Sequence, residues 1–345
     1  MDDEARVGDA GAGTPQVSVV MPTRNRERLA VATLRTVLAQ GVDLEVVVVN
    51  DGSTDDTVQR IHELGDPRVS VVEGGGNGVA AARNLGIHHA RGQWIAFKDD
   101  DDRWAPDKLA KQLAALGETD ASWSICGAVT VDETVRLRNS YRPSPAADVA
   151  RDVLSDSLPG GGSNVVAARE LVGRAGDFDP DLQFEDWDYW IRLALLGGPP
   201  AVIDEPLVAY LSHRNSRVAE CANRGAFEEI ESRYREERAA ARVADDWPRW
   251  LGGLAEAHQR ANDRRRAAWG HLEVAAYTHR AQYLGRAALA LAWPGSIRIN
   301  DLKRVRGMPD EYRASVEVWL ADQRSDWHHT ASGLSGAAQG RHQGA

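Results

Sequence analysis

Four short runs of β-branched and aromatic residues, Val17–Met21, Leu44–Val49, Val69–Val72 and Trp94–Phe97, are each followed by a polar or glycine-rich turn and then by a segment with helical periodicity. Repetition of that order restricts the chain to a sheet with parallel strands covered by helices. Arg26–Gln40 reads as one such helix, closed by Gly41. Ser53 reads as the N-cap of the next, with Asp56 in its first turn, and Pro106 sits where the first turn of a later helix tolerates proline. In open α/β sheets, ligands lie beyond the carboxyl ends of the strands. The turns Pro22-Thr23-Arg24-Asn25, Asn50-Asp51-Gly52-Ser53, Gly74–Gly78 and Lys98–Asp102 are therefore expected to converge on one crevice.

After about residue 120 the pattern changes. Trp123–Val131 reads as a strand, Gly160–Gly162 as a break, and Phe184–Leu196 as a helix ended by Gly197-Gly198. Between Phe227 and Trp319 the chain is rich in Ala, Arg and Leu at helical spacing. The expected organisation is a disordered leader over 1–16, an α/β domain over 17–215, a helical C-terminal region over 216–325 and a disordered tail over 326–345. The leader lacks the basic start and apolar stretch of a secretory signal. The longest apolar runs, Leu44–Val49 and Ala287–Trp293, fall far short of the roughly 18 to 20 residues that span a bilayer.

A net charge of −10 opposes a nucleic-acid partner. Cys126 and Cys221 have no neighbours of metal-ligand type, which suits a reducing compartment, and a cytoplasmic location is expected. Glu256 to Arg306 carries ten Lys or Arg against four Asp or Glu, with apolar residues between them. That stretch suits peripheral contact with anionic lipid at the inner face of a membrane, or with a lipid-linked acceptor, although a solvated helical face is the plainer reading.

Asp99, Asp100, Asp101 and Asp102 follow the buried-looking strand Trp94–Phe97. Adjacent carboxylates repel one another unless a cation or solvent offsets the charge. Mg²⁺ or Mn²⁺ typically takes one or two carboxylates plus substrate phosphates, so a run at the carboxyl edge of a sheet points to a hard divalent cation rather than to a solvated acidic loop.

Five motifs in one order carry a resemblance: Val17-Ser-Val-Val-Met-Pro-Thr-Arg-Asn25, Val49-Asn-Asp-Gly-Ser-Thr-Asp55, Gly78-Val-Ala-Ala-Ala-Arg-Asn84, Phe97-Lys-Asp-Asp-Asp-Asp-Arg-Trp104 and Phe184-Glu-Asp-Trp-Asp188. From about Val17 to His213 the chain resembles the family-2 glycosyltransferases of GT-A fold. The resemblance implies a mixed, mostly parallel Rossmann-like sheet, inverting transfer from a nucleotide-sugar donor, and a Mg²⁺ or Mn²⁺ cofactor. It implies that Pro22, Thr23 and Asp51 hold the nucleoside, with Asn25 in the same loop. Arg83 would lie near the donor phosphates, and Asp99 and Asp100 would line the donor site. Asp101 is the expected direct metal ligand, with Asp99 and His213 beside it. Asp186 is the expected general base, with Glu185 positioning the acceptor or the base. The acceptor would be a glycan, a lipid-linked saccharide or a small molecule. Lys98 and Asn50 depart from the family pattern, which often has an apolar residue and an aspartate there.

Each residue also has a plainer reading. Asp51 can be an ordinary Asp-Gly turn, and Arg83 an exposed helix arginine in an ion pair worth about 0 to 1 kcal/mol. Glu185 and Asp186 can be first-turn acids favoured by the helix dipole, and His213 a satisfied loop histidine. Rival functions follow from the same residues. Val69–Val72 with Gly76-x-Gly78-x-x-Ala81, and Asp99 roughly 20 residues on, imitates a dinucleotide fingerprint, but two β-α units precede it. A nucleotidyltransferase would share the sheet and the acidic site but lacks an obvious basic, glycine-rich loop near the first strand. A scaffold protein with a degenerate transferase domain would not need every acidic residue that is present.

Overall fold

The computed structural model describes residues 13–158, 161–212, 224–243, 247–293 and 297–331. Its first half is the expected series of β-α units. Strands β1 (Val17–Thr23), β2 (Leu44–Asn50), β3 (Val69–Glu73) and β4 (Trp94–Phe97) alternate with helices α1 (Glu27–Leu38), α2 (Thr57–His62) and α3 (Val79–His89). All four strands run parallel in the order β3-β2-β1-β4, with Val17 opposite both Leu44 and Trp94. The residues of β1, β2 and β4 are buried on both faces, as expected where helices cover a parallel sheet on both sides, whereas β3 at the sheet edge is only partly covered. Val17, Val19, Met21, Val46 and Val48 pack with Leu29, Leu34 and Val37 of α1. On the other face, Val20, Ile95 and Phe97 pack with Trp187 and Trp190 of a later helix.

Beyond β4 the sheet becomes mixed. Strands β5 (Arg103–Trp104), β6 (Trp123–Val131), β7 (Leu137–Tyr141), β8 (Val166–Ala168) and β9 (Ala201–Leu211) extend it to nine strands among the described residues. The path runs β4-β8-β6-β9-β5, with β8 antiparallel to β4 and β6, β9 parallel to β6, β5 antiparallel to β9, and β7 paired off β6. Helices α4 (Lys108–Gly117), α5 (Ala146–Ser155), α6 (Arg169–Ala175) and α7 (Glu185–Gly197) complete this half. Trp187, Trp190, Ile191 and Leu193 bury one side of α7, and Gly198 at φ +67° closes the helix.

The helical region comprises α8 (Arg224–Arg233), α9 (Arg235–Ala240), α10 (Trp247–Arg260), α11 (Arg264–Thr278), α12 (Gln282–Ala292), α13 (Ile297–Arg306) and α14 (Asp310–Ala331). Its last helix returns to the sheet. Tyr312, Val316, Trp319 and Leu320 of α14 join the core cluster that contains α1 and β9. Trp319 Nε1 donates to the Pro206 carbonyl at 3.2 Å, and Gln323 Nε2 donates to the Trp104 carbonyl at 3.0 Å. The helix therefore runs past residue 326, where a disordered tail was expected to begin. Among the described residues no helix is long and apolar enough to cross a membrane.

Two local expectations are corrected. Ser53 does not cap a helix: α2 begins at Thr57, while Ser53 Oγ accepts the Asn25 N–H at 3.0 Å and Ser53 N–H donates to Asn50 Oδ1 at 2.9 Å. Bonds to the neighbouring loop hold the Asp-Gly-Ser turn, and the N-cap moves three residues on, to Asp56. Pro106 lies just outside α4, which begins at Lys108.

Candidate active site

The carboxyl ends of β1, β2, β3 and β4 bring all four of the expected loops together. Asn25 adopts a left-handed backbone at φ +53°, a conformation that asparagine tolerates better than most residues. Its Oδ1 accepts the Thr54 N–H at 2.8 Å, tying the β1 loop to the β2 loop. Both oxygens of Asp51 accept the Gly78 N–H at 3.1 Å, and Arg24 Nη1 lies 3.9 Å from Asp51 Oδ2. Gly78, at φ +94°, can present that N–H because it carries no Cβ. The glycine segment that imitates a dinucleotide fingerprint is thus anchored to a carboxylate. Pro22 is buried within β1, and the Thr23 hydroxyl donates to Asp100 Oδ2 at 2.7 Å.

The acidic run turns tightly at the end of β4. Asp99 N–H donates to Ser163 Oγ at 3.1 Å, and the Thr33 hydroxyl donates to the Asp100 and Asp102 carbonyls at 2.8 and 3.1 Å. Asp102 is fully buried, and its Oδ1 accepts the Leu211 N–H at 3.3 Å. Burial and the neighbouring carboxylates hold Asp102 well above the usual carboxylate range against the pull of Lys98. Burial, reinforced by Asp101, pushes Asp100 up to about 7, with Arg26 and the Thr23 hydroxyl opposing the shift. Arg26 Nε stands 3.8 Å from Asp100 Oδ1 and its Nη2 stands 3.8 Å from Asp101 Oδ2. Lys98 lies buried beneath the run with its ammonium 5.4 Å from the Trp104 ring centre, and burial pushes it down to about 8.

Arg83 joins the two sides of the crevice. From α3 its Nη2 meets Asp99 Oδ1 at 2.8 Å and its Nη1 meets Glu185 Oε1 at 3.3 Å. It is buried, not exposed as the plainer reading had it, and its guanidinium lies 5.3 Å from the Phe178 ring centre. Burial acts against the charge, but Asp99, Glu185 and Asp186 outweigh it and hold the guanidinium firmly protonated. Asp186, next in the first turn of α7, accepts the Trp187 N–H at 2.8 Å. Burial, with Glu185 beside it, raises Asp186 to about 6 despite the attraction of Arg83. The helix N-terminus favours negative charge here but does not by itself explain a carboxyl held near neutrality.

Pro22 and Thr23 at the end of β1, Arg83 on α3, Glu185 and Asp186 at the start of α7, and Asn25, Asp51, Asp99, Asp100 and Asp101 on the loops thus all lie at this end of the sheet. His213 lies outside the described residues. Arg26 and Ser163 reach the acidic run without having been singled out from the sequence. Arg26 was read only as a helix start, although a second basic residue in a loop facing four acids is itself a signal. Ser163, 64 residues from Asp99, has no local pattern to announce it.

The sequence model of glycosyl transferase family 2 matches residues 18–159. TuaG of Bacillus subtilis, named for teichuronic acid biosynthesis, is 30% identical over 207 residues, covering 59% of this chain and 81% of that protein. The Escherichia coli UDP-Glc:alpha-D-GlcNAc-diphosphoundecaprenol beta-1,3-glucosyltransferase WfgD is 34% identical over 109 residues, 31% of this chain and 43% of WfgD. Among solved structures, S. aureus TarS superposes with a TM-score of 0.51 at 18% identity, over 84% of this chain and 54% of TarS. Its 1-349 fragment in complex with UDP-GlcNAc gives 0.50 at 16% identity, over 93% and 92% of the two chains. The likeness to TarS extends to the fold, a mostly parallel sheet of GT-A type with helices on both faces. The β-α units, the acidic turn after β4 and the similarity to TuaG together identify this chain as a member of glycosyl transferase family 2, and as a glycosyltransferase.

Proposed function

We propose that the chain transfers a sugar from a nucleoside-diphosphate sugar, UDP- or dTDP-sugars being favoured, to an acceptor hydroxyl with inversion at the anomeric carbon, Asp186 serving as general base. The observation that carries this reading is the Asp186 carboxyl itself. It stands at the start of α7 beside the Arg83–Glu185 ion pair, with a pKa of about 6 that lets it ionise near neutrality and still accept a proton.

On the donor side, Thr23 and Pro22 line the nucleoside position beside Asp51. A carboxylate only accepts hydrogen bonds, which suits the N3–H of uracil or thymine, and its several lone-pair sites leave room for that bond beside Gly78. The UDP-Glc donor in the name of WfgD supports a uridine nucleotide. The polysaccharide and lipid-linked acceptors in the names of TuaG and WfgD support a saccharide hydroxyl as acceptor, on a glycan or a lipid carrier.

The acidic run fits a divalent cation. No group of three metal-type side chains is assembled among the described residues, but Mg²⁺ or Mn²⁺ needs only one or two carboxylates when a diphosphate and water complete its shell. Burial first, and then the charge of Asp101 beside it, raises Asp100 to about 7, and a cation would offset the negative charge gathered there. Asp101 would hold the ion, with Asp99 as its neighbour, although Asp99 already gives Oδ1 to Arg83. When bound, the metal supplies charge neutralisation for the departing diphosphate.

The chain's own residues supply the remaining steps. Glu185 and Arg83 hold the start of α7 against the donor edge, so that Asp186 faces the acceptor. The acceptor oxygen attacks the anomeric carbon as its proton passes to Asp186. The bond to the nucleoside diphosphate breaks on the opposite face, and one displacement inverts the configuration.

Asp186→Asn should lower kcat by about 10² to 10⁴ while leaving UDP affinity intact, and preserved turnover would overturn the assignment. The base works ionised, so wild-type kcat/KM should rise as pH increases through about 6, and that limb should vanish in the variant. Asp101→Ala should abolish the gain in melting temperature that Mn²⁺ adds to UDP, the ligand term being about 2.7 kcal/mol at a hundredfold excess over Kd.

A further inference from the structure

Helices α11 and α12 are packed inside out. The seam between them is built of Ala267, Ala268, Ala287 and Ala290. Helix α11 also lies so close on α10 that a Cβ added to Gly270 would stand 2.9 Å from the Ala255 Cβ. The large apolar side chains point the other way. Trp269 is 65% exposed, Tyr277 57%, Trp293 55% and Leu284 54%, and Leu272 and Leu291 are exposed as well. In water, an amphipathic helix turns its large apolar residues inward and covers the outside with polar ones. A seam of small residues with large apolar groups outside is the arrangement of helices whose surroundings are themselves apolar.

The outer face also has a sign. Trp269, Leu272 and Ala276 recur at i, i+3 and i+7 along one side of α11, and Arg265 lies one turn before Trp269 on that side. Arg264, Arg265, Arg266 and Arg280 are all exposed. From Arg264 to Trp293 there are five arginines and one acid, Glu273, in a chain whose net charge is −10. A cleft of about 350 Å³ opens at the foot of this face, lined by Leu251, Leu254 and Trp269 with Arg265 and Arg266.

We propose that this face docks on an anionic phospholipid bilayer, with Trp269, Leu272, Leu284 and Leu291 entering the interface and the arginines meeting lipid phosphates. Tryptophan, leucine and arginine in this arrangement are what an interfacial helix presents to a membrane surface. A second copy of the chain is the competing occupant. A two-fold contact sets the same patch against itself and would bring the arginines face to face, whereas a bilayer surface offers them counter-charge. The docking is independent of how sugar transfer proceeds.

The test is sedimentation of the full chain with vesicles of phosphatidylcholine alone or mixed with phosphatidylglycerol. Binding is expected only to the anionic vesicles, and it should weaken as salt rises. Replacing Arg264, Arg265 and Arg280 together by Gln should weaken partitioning roughly a hundredfold, and Trp269→Ala by about tenfold. All four side chains are exposed, so the melting temperature should not move and serves as the folding control. Absence of binding, equal binding to both vesicle types, or a concentration-dependent dimer dissolved by Trp269→Ala would overturn the proposal.

Discussion

Arg83 and Arg265 are both helix arginines, and the contrast between their surroundings separates two ways of using one side chain. Arg83 is buried between Asp99 and Glu185, with a ring against its guanidinium, and its position is set by residues 16 and 102 places away in the chain. Arg265 stands exposed on a helix that packs through alanine and glycine. Charge is immobilised in the first region by two carboxylates and an aromatic ring. In the second it is presented to the surroundings, where mobility of the side chain costs nothing.

Stability measurements can break this contrast. Arg83→Leu should have the largest effect, since it removes the buried guanidinium that Asp99 and Glu185 share. A loss of about 3 to 5 kcal/mol in urea unfolding is expected, and a loss below 1 kcal/mol would mean that the ion pair does not hold the crevice together. Gly127→Ala comes next. A Cβ at Gly127 would fall 1.7 Å from the Tyr312 hydroxyl, which donates to the Tyr141 carbonyl, and 2.7 Å from the Glu205 carbonyl of β9, so the Tyr312 ring and the strand backbone must both give way. About 1 to 3 kcal/mol should be lost. Gly285→Ala in α12 should have the opposite sign, because nothing lies within 4 Å of the added Cβ and alanine favours the helix by up to about 1 kcal/mol. Trp269→Ala should change unfolding by no more than about 0.5 kcal/mol, since so little of that side chain is packed.

The same contrast runs through what the sequence discloses. The parallel strands were legible because each is a run of β-branched residues ending in a turn, and Trp123–Val131 has the bounds expected of it. Strands β5 and β8 were not, since two and three residues carry no periodicity, and pairing with distant segments makes them strands. The candidate site was legible as loops at one sheet edge, because topology alone brings those turns together. The contacts within it were not: Ala-Ala-Ala-Arg-Asn in a helix does not announce a buried guanidinium, and Ser53 looked like a cap until its partner in another loop was known. The inside-out packing of α11 and α12 escaped notice because composition reports how many apolar residues a helix has, and not which side they take.

The bond from Gln323 to the Trp104 carbonyl closes a span of 219 residues. At roughly 5 to 20 residues per second, a ribosome delivers Trp104 about 10 to 45 s before the helix that covers it. Once β9 has also emerged, the sheet edge at β5 and β9 waits without its lid until α14 is made. The early β-α units can form as they emerge, but the packing that covers Trp104 comes only after α14 has been made. A nascent chain stalled before α14 should therefore display native-like strands while still offering an apolar edge to chaperones.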